Sequence, residues 1–181
     1  PNYHRFYIPN TIVAFTLVTY NRSPIFPNTR FAELFLNLLN KITNQFHYEV
    51  LHIHYSQITF TYKFNFTGKS QFFPTIRELK RLFSVSYKKS NPLLPLPNSS
   101  RQKHHETTIW QRRFWDHVIK DERDLERHLN YVHFNPVKHD FTDNPAHWPW
   151  PSYSDYVEKG YYPKEWSPEL DQFEDSDNWG E

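Results

Sequence analysis

From Thr11 to Tyr20 the chain reads Thr-Ile-Val-Ala-Phe-Thr-Leu-Val-Thr-Tyr, branched and aromatic with only weak alternation, the pattern of a central β-strand. Asn21-Arg22-Ser23-Pro24 is turn-like, and from Arg30 to Phe46 the residues Phe31, Leu34, Phe35, Leu38, Leu39 and Ile42 fall at helical spacing. Residues 48–66 alternate through Val50, His52 and His54, then Ile58, Phe60, Tyr62 and Phe64, which predicts one long strand or two paired ones. Helical spacing returns over Thr75–Lys89 with Ile76, Leu79, Leu82 and Phe83, and the opposite face carries Arg77, Lys80, Arg81, Lys88 and Lys89. Residues 90–107 have no periodicity and read as an exposed loop, with Arg101, Lys103, His104 and His105 as an arm that can touch a polyanion backbone. Phe114–Ile119 predicts a short strand, after which Asp121 caps a helix with Leu125, Leu129 and Val132 as its core stripe. Pro136 predicts that this helix stops near Asn135. Strands and helices alternate without glycine-marked turns, so the expected class is α+β, helices packed on an antiparallel sheet.

A length of 181 residues suits one domain with a tail. Aromatic residues make up 19% of the chain, so the core is built largely from Phe, Tyr and Trp, rings that also stack on bases. No cysteine is present, which excludes disulfides, thiolate metal sites and cysteine nucleophiles. With 3 glycines, glycine-rich phosphate loops are excluded as well. No run approaches a membrane span and no leader precedes the first strand, so the chain reads as cytoplasmic. Net charge is +1, yet residues 1–139 hold 19 Lys/Arg against 9 Asp/Glu, or +10, and residues 140–181 hold 2 against 11, or −9. A basic body of this kind suits a polyanion partner, and its bland counterpart is a solvated surface with a disordered acidic end.

One stretch carries chemistry. In residues 109–138 a tyrosine and an asparagine, Tyr131 and Asn135, lie one helical turn apart just after a basic-aromatic strand. A single-strand DNA nicking enzyme needs a nucleophile and a metal ligand in that arrangement; an ordinary amphipathic helix ending at a proline has the same spacing.

The run Ile109-Trp110-Gln111-Arg112-Arg113-Phe114-Trp115-Asp116-His117, with Tyr131-Val132-His133-Phe134-Asn135-Pro136-Val137-Lys138-His139 after it, resembles the signature of REP-associated tyrosine transposases. These lie within the IS200/IS605-like, HUH-type single-strand transposases. Tyr3-His4-Arg5-Phe6-Tyr7-Ile8-Pro9 and Val18-Thr19-Tyr20-Asn21-Arg22 are similar to that family's start, and Trp148, Ser152-Tyr153, Tyr156, Gly160-Tyr161-Tyr162 and Trp166 to its close. The resemblance covers most of residues 3–166, which gives an IS200-like transposase domain over 1–166 and an acidic, disordered tail over 167–181.

The resemblance implies a ferredoxin-like α+β core that nicks and rejoins single-stranded DNA at hairpins or palindromic repeats, as a monomer or homodimer. Tyr131 would be the nucleophile, held as a 5′-phosphotyrosine, with Asn135 and a histidine pair binding Mg²⁺ or Mn²⁺. The family's pair is His-hydrophobe-His on a central strand, and the triplet here is His52-Ile53-His54. It lacks the preceding Pro-Asp or Pro-Asn turn, and the family pattern laid down from Glu49 to Lys89 without large gaps puts the pair on Thr59-Phe60-Thr61 instead. Positions 52 and 59 lie on opposite faces of one uninterrupted strand, so either His52 and His54 supply the site or it has decayed to Thr59 and Thr61. Under either alternative Lys80, Arg81, Arg112, Arg113 and Lys138 can hold phosphates, while Trp110 and Trp115 stack on unpaired bases or belong to the core. His117, His128, His133 and His139 are weaker candidates for acid-base or phosphate contacts. Two other functions stay open: a non-catalytic hairpin-binding module on the same fold, and a single-stranded RNA binder.

Overall fold

The structure, a computed structural model, describes residues 12–46, 49–55, 59–65, 72–138, 140–148 and 152–163, with 49–55, 59–65, 72, 73 and 152 described by their backbone. The motif at 3–9, His139, Trp166 and the acidic tail at 167–181 lie outside these residues. The elements are Ile12–Val18 (β1), Thr29–Phe46 (α1), Glu49–Tyr55 (β2), Thr59–Asn65 (β3), Phe72–Ser90 (α2), Ser99–Lys103 (α3), Trp115–Val118 (β4), Glu122–Lys138 (α4) and Ser152–Glu158 (α5). Sheet order is β2-β3-β1-β4 with every neighbouring pair antiparallel, so the βαββαβ order makes the ferredoxin-like arrangement that the resemblance implies. Among the described residues no helix is long and apolar enough to cross a membrane.

Both faces of β1 are covered, which is why its sequence alternates only weakly. Val13, Phe15 and Leu17 enter one core with Phe31, Phe35, Leu39 and Ile42 of α1 and Ile76, Leu79 and Phe83 of α2. Ala14 and Thr16, on the other face, are equally buried. Asn28 starts α1 by accepting from the Arg30 amide at 3.1 Å.

Of the two alternatives for residues 48–66, the paired strands hold: Glu49–Tyr55 pairs with Thr59–Asn65, and the β2 register shifts between Val50 and His52, a bulge that leaves Leu51 unopposed. Two expectations change. The 90–107 loop holds the short α3, capped by Asn98, whose side chain accepts from the Arg101 amide at 3.0 Å. Helix α4 runs through Pro136 to Lys138 rather than stopping at Asn135. Pro136 sits in the last turn, where its missing N–H removes a single bond, and the helix closes where Asp140 turns left-handed at φ 56°. There the Asp140 amide donates to the Val137 carbonyl and the Phe141 amide to that of Pro136.

Candidate nucleophile helix and nucleic-acid interface

Helix α4 is anchored at its start and laid down along β4. The Asp121 carboxylate accepts from the Asp124 amide at 2.8 Å, as its cap position predicts. Asp124 in turn accepts from the Lys120 amide at 2.9 Å and pairs with His117 Nε2 at 2.8 Å. Burial pushes the Asp124 carboxyl up, but the Lys120 amide and the His117 ring outweigh it and leave the pKa below the usual value. Trp115 stacks on His117 at 5.6 Å and on His128 at 6.0 Å between ring centroids. Contacts therefore move from residue 124 to 128 on the helix as they move from 117 to 115 on the strand, and α4 runs antiparallel to β4. One turn further, Tyr131 and Val132 pack with Trp115, and Tyr131 lies toward the end of the sheet that residues 111–113 enter.

Tyr131 is 5% exposed and Asn135 3%, on the same side of α4 as the spacing predicts. The Lys138 ammonium stands 4.9 Å over the Tyr131 ring. The residues beside Tyr131 are braced from the chain's end: the Tyr162 hydroxyl donates to Asn130 Oδ1 at 2.9 Å and lies 3.0 Å from His133 Nδ1. His133 also meets the rings of Tyr153 at 6.0 Å and Tyr156 at 5.0 Å. Burial, then the neighbouring Tyr156 and Glu126, push the Tyr162 phenol well above its usual range. Local spacing gives no hint of this brace beyond the cluster of tyrosines at 153, 156 and 162.

The register ladders place the two candidate metal pairs. His54 pairs with Thr61, Thr61 with Thr16, and Thr16 with Trp115, one row across all four strands. His52, Lys63, Ala14 and His117 form the next row. Directly opposed residues share a face, so His52, His54 and Thr61 all occupy the face that α4 covers. Positions 52 and 59 would lie on opposite faces of one uninterrupted strand; here they share a face, because the strand is broken in two and the Leu51 bulge shifts the parity of β2. What separates the pairs is distance along the row: β3 lies beside β1, whereas β2 is the sheet edge. Three strand spacings, roughly 14 Å, divide the histidine strand from β4. Among the residues whose side chains are described, which do not include those of β2 and β3, no group of three His, Asp or Glu could hold a metal ion.

The predicted phosphate and base contacts divide into two sets. Trp110 is 4% exposed, packed in the core against Phe26, Phe35 and Phe83 with centroids 5.3 to 6.0 Å away, so it does not stack on bases. It is drawn inward because its backbone bridges Thr19 at the end of β1. Lys80 donates to the Gln111 carbonyl at 2.8 Å, and burial pushes its pKa down to about 8. Arg101, expected on an exposed arm, is 7% exposed and donates to the carbonyls of Thr107 at 2.6 Å and Trp110 at 3.1 Å, with its guanidinium 3.9 Å over the Tyr20 ring. Arg81 is paired with Glu78 on α2 at 2.7 Å. Arg112, Arg113 and Lys138 are exposed. Arg112 is steadied by Glu106 at 2.6 Å.

No protein-family model matches the chain. Over 75 residues it is 45% identical to a protein of Haemophilus influenzae named as a REP-associated tyrosine transposase, covering 40% of this chain and 43% of that one. Over 65 residues it is 37% identical to the REP-associated tyrosine transposase of Escherichia coli K12, covering 36% and 39%. The chain thus matches about two fifths of the length of the curated relatives. In fold, the whole chain superposes on 97% of a solved REP-associated tyrosine transposase bound to a REP hairpin, with TM-score 0.75 and 24% identity. Over about two fifths of its length this chain is thus similar in sequence to REP-associated tyrosine transposases, and it shares the fold of a solved one.

Proposed function

We propose that the chain binds DNA hairpins, or the unpaired strand beside them, through a cationic edge on the transposase fold. What supports this reading is the segment 107–113: two cations, Lys80 and Arg101, are committed to its carbonyls, and Arg112 and Arg113 are thereby held outward near the end of the sheet that Tyr131 approaches. Burying two cations to fix a loop is costly unless that loop's position matters. The relatives' names and the hairpin-bound neighbour agree with the same ligand class. The test is titration of a palindromic single strand, a scrambled strand and an RNA of the palindrome sequence. The palindromic DNA should bind tightest, and Arg112→Gln plus Arg113→Gln should weaken binding and lower its salt slope by about 0.7 to 0.9 per lost phosphate contact. Equal binding of palindrome and scramble would overturn hairpin recognition, and preference for RNA would overturn the choice of DNA.

Mg²⁺ or Mn²⁺ is the ion that the resemblance implies, and the donors present fit it poorly. Thr59 and Thr61, on the strand beside β1, offer hydroxyls, weak ligands next to imidazole or carboxylate. His52 and His54 stand one strand further from α4 than those threonines, at the sheet edge.

A second reading, nicking, is favoured by Lys138, whose ammonium over the Tyr131 ring can meet a phosphate presented to that hydroxyl. In that reaction Tyr131 Oη bonds to phosphorus, the P–O3′ bond breaks, and the phenol's proton ends on the released 3′ hydroxyl, leaving a 5′-phosphotyrosine. Incubation with the palindromic strand, with and without Mn²⁺, separates the readings. A covalent adduct lost in Tyr131→Phe establishes nicking, and tight binding without an adduct leaves the binding module.

A further inference from the structure

Beside residues 111–113 lies an open hollow of about 600 Å³ whose lining adds another arginine, Arg22. The turn Tyr20–Arg22, the segment Gln111–Arg113 and Arg101 make up its walls. The volume falls within the range of small-ligand sites. The turn and the segment are tied together, because the Tyr20 amide donates to the Ile109 carbonyl and the Gln111 amide to that of Val18, each at 2.9 Å. The cleft is therefore a built feature of the sheet's end.

Its charge is unbalanced. Glu106 offsets Arg101 at 3.5 Å and Arg112 at 2.6 Å. Among the described residues no carboxylate pairs with Arg22 or Arg113, both exposed. Four guanidiniums around one opening repel one another, a cost that a bound anion removes. Asn21 and Arg22 both sit at φ 51°, left-handed conformations that are strained for residues other than glycine. The turn is kept in that shape by Thr19 Oγ1, which donates to the Ser23 carbonyl at 2.9 Å.

We propose that this cleft seats consecutive phosphates of one DNA strand, with Arg22 and Arg113 gripping the backbone. A flexible single strand can follow such a cationic hollow with its phosphates, as it does in single-strand-binding grooves. The ladder that brings α4 past Trp115 points Tyr131 toward this end of the sheet, so a strand held here passes the tyrosine helix. The proposal rests on the DNA-binding reading above and adds Arg22 and its turn to it.

The test compares Arg22→Gln with Lys41→Gln, an equal loss of charge at an exposed position of α1. Binding of an unpaired oligodeoxynucleotide and of a blunt duplex is measured for both variants at several salt concentrations. Arg22→Gln should bind the unpaired strand about fivefold more weakly, with a salt slope shallower by about 0.7 and an unchanged Tm. Arg22→Lys should recover part of the loss, and the duplex should be affected less than the unpaired strand. If Arg22→Gln and Lys41→Gln behave alike while the wild type binds DNA, the cleft proposal is overturned and the broader reading stands. A wild type that binds no DNA overturns both.

Discussion

Lys80 shows how a residue legible as a phosphate contact becomes a structural one. Its ammonium is held at the Gln111 carbonyl, and loss of solvation, opposed by Glu106 and reinforced by Arg101, pushes its pKa down to about 8. An unfolded lysine titrates near 10.4, so from about pH 8 to 10.4 the unfolded chain binds more protons and stability rises with pH. Below that window the buried charge opposes folding by on the order of 3 kcal/mol, offset in part by its carbonyl contact. Lys80→Met should therefore flatten the stability curve across this window, read by urea unfolding at several pH values; an unchanged slope would mean the burial is not felt. Trp110 makes the companion case. Trp110→Ala should cost about 3 to 5 kcal/mol, seen as a fall in Tm, whereas Trp110→Phe should leave DNA affinity unchanged. In the sequence Trp110 sits among arginines and looks like a stacking ring, because local spacing carries no trace of its bridge to Thr19, 91 positions away. Phe31, Phe35 and Ile42 were legible because their partners follow from helical periodicity alone.

Secondary structure follows the same division between local and distant causes. Both long helices before the loop, and the cap of α4 at Asp121, were readable from periodicity and a single residue type. The passage of α4 through Pro136 was not, since the proline rule leaves out how little remains of the helix after it and the left-handed close at Asp140. Nor was the bulge at Leu51, which decides the face of His52 and His54 and has no marker in a strand without glycine. The start of α4 yields the prediction that belongs here. Asp124 holds the Lys120 amide and His117 together, and its carboxyl sits below the usual pKa, so its contribution is present above the unfolded value near 3.9 and lost as pH falls through the lower folded value. Asp124→Asn should cost about 1 kcal/mol at neutral pH and remove that part of the acid loss. Denaturant melts at neutral and acid pH check it, and an Asn variant as acid-sensitive as the wild type would exclude Asp124 as a source.

For the whole molecule, charge is the quantity that elements do not capture. A body of +10 and a C-terminal portion of −9 nearly cancel, and residues 167–181 alone hold six Asp/Glu and no Lys or Arg. A tail of that sign can compete with DNA for Arg22, Arg113 and Lys138, as an intramolecular polyanion at high effective concentration. Such competition is electrostatic and is screened over roughly 10 Å at 0.1 M salt, so it has a signature distinct from a steric block. Removing 167–181 should tighten binding several-fold at about 50 mM salt and make the salt dependence steeper, with the two chains converging as salt rises. The measurement is the DNA dissociation constant of both chains across a salt series. A gain that persists undiminished at high salt would point to steric masking, and no gain at any salt would mean that the tail leaves the cationic edge open to its ligand.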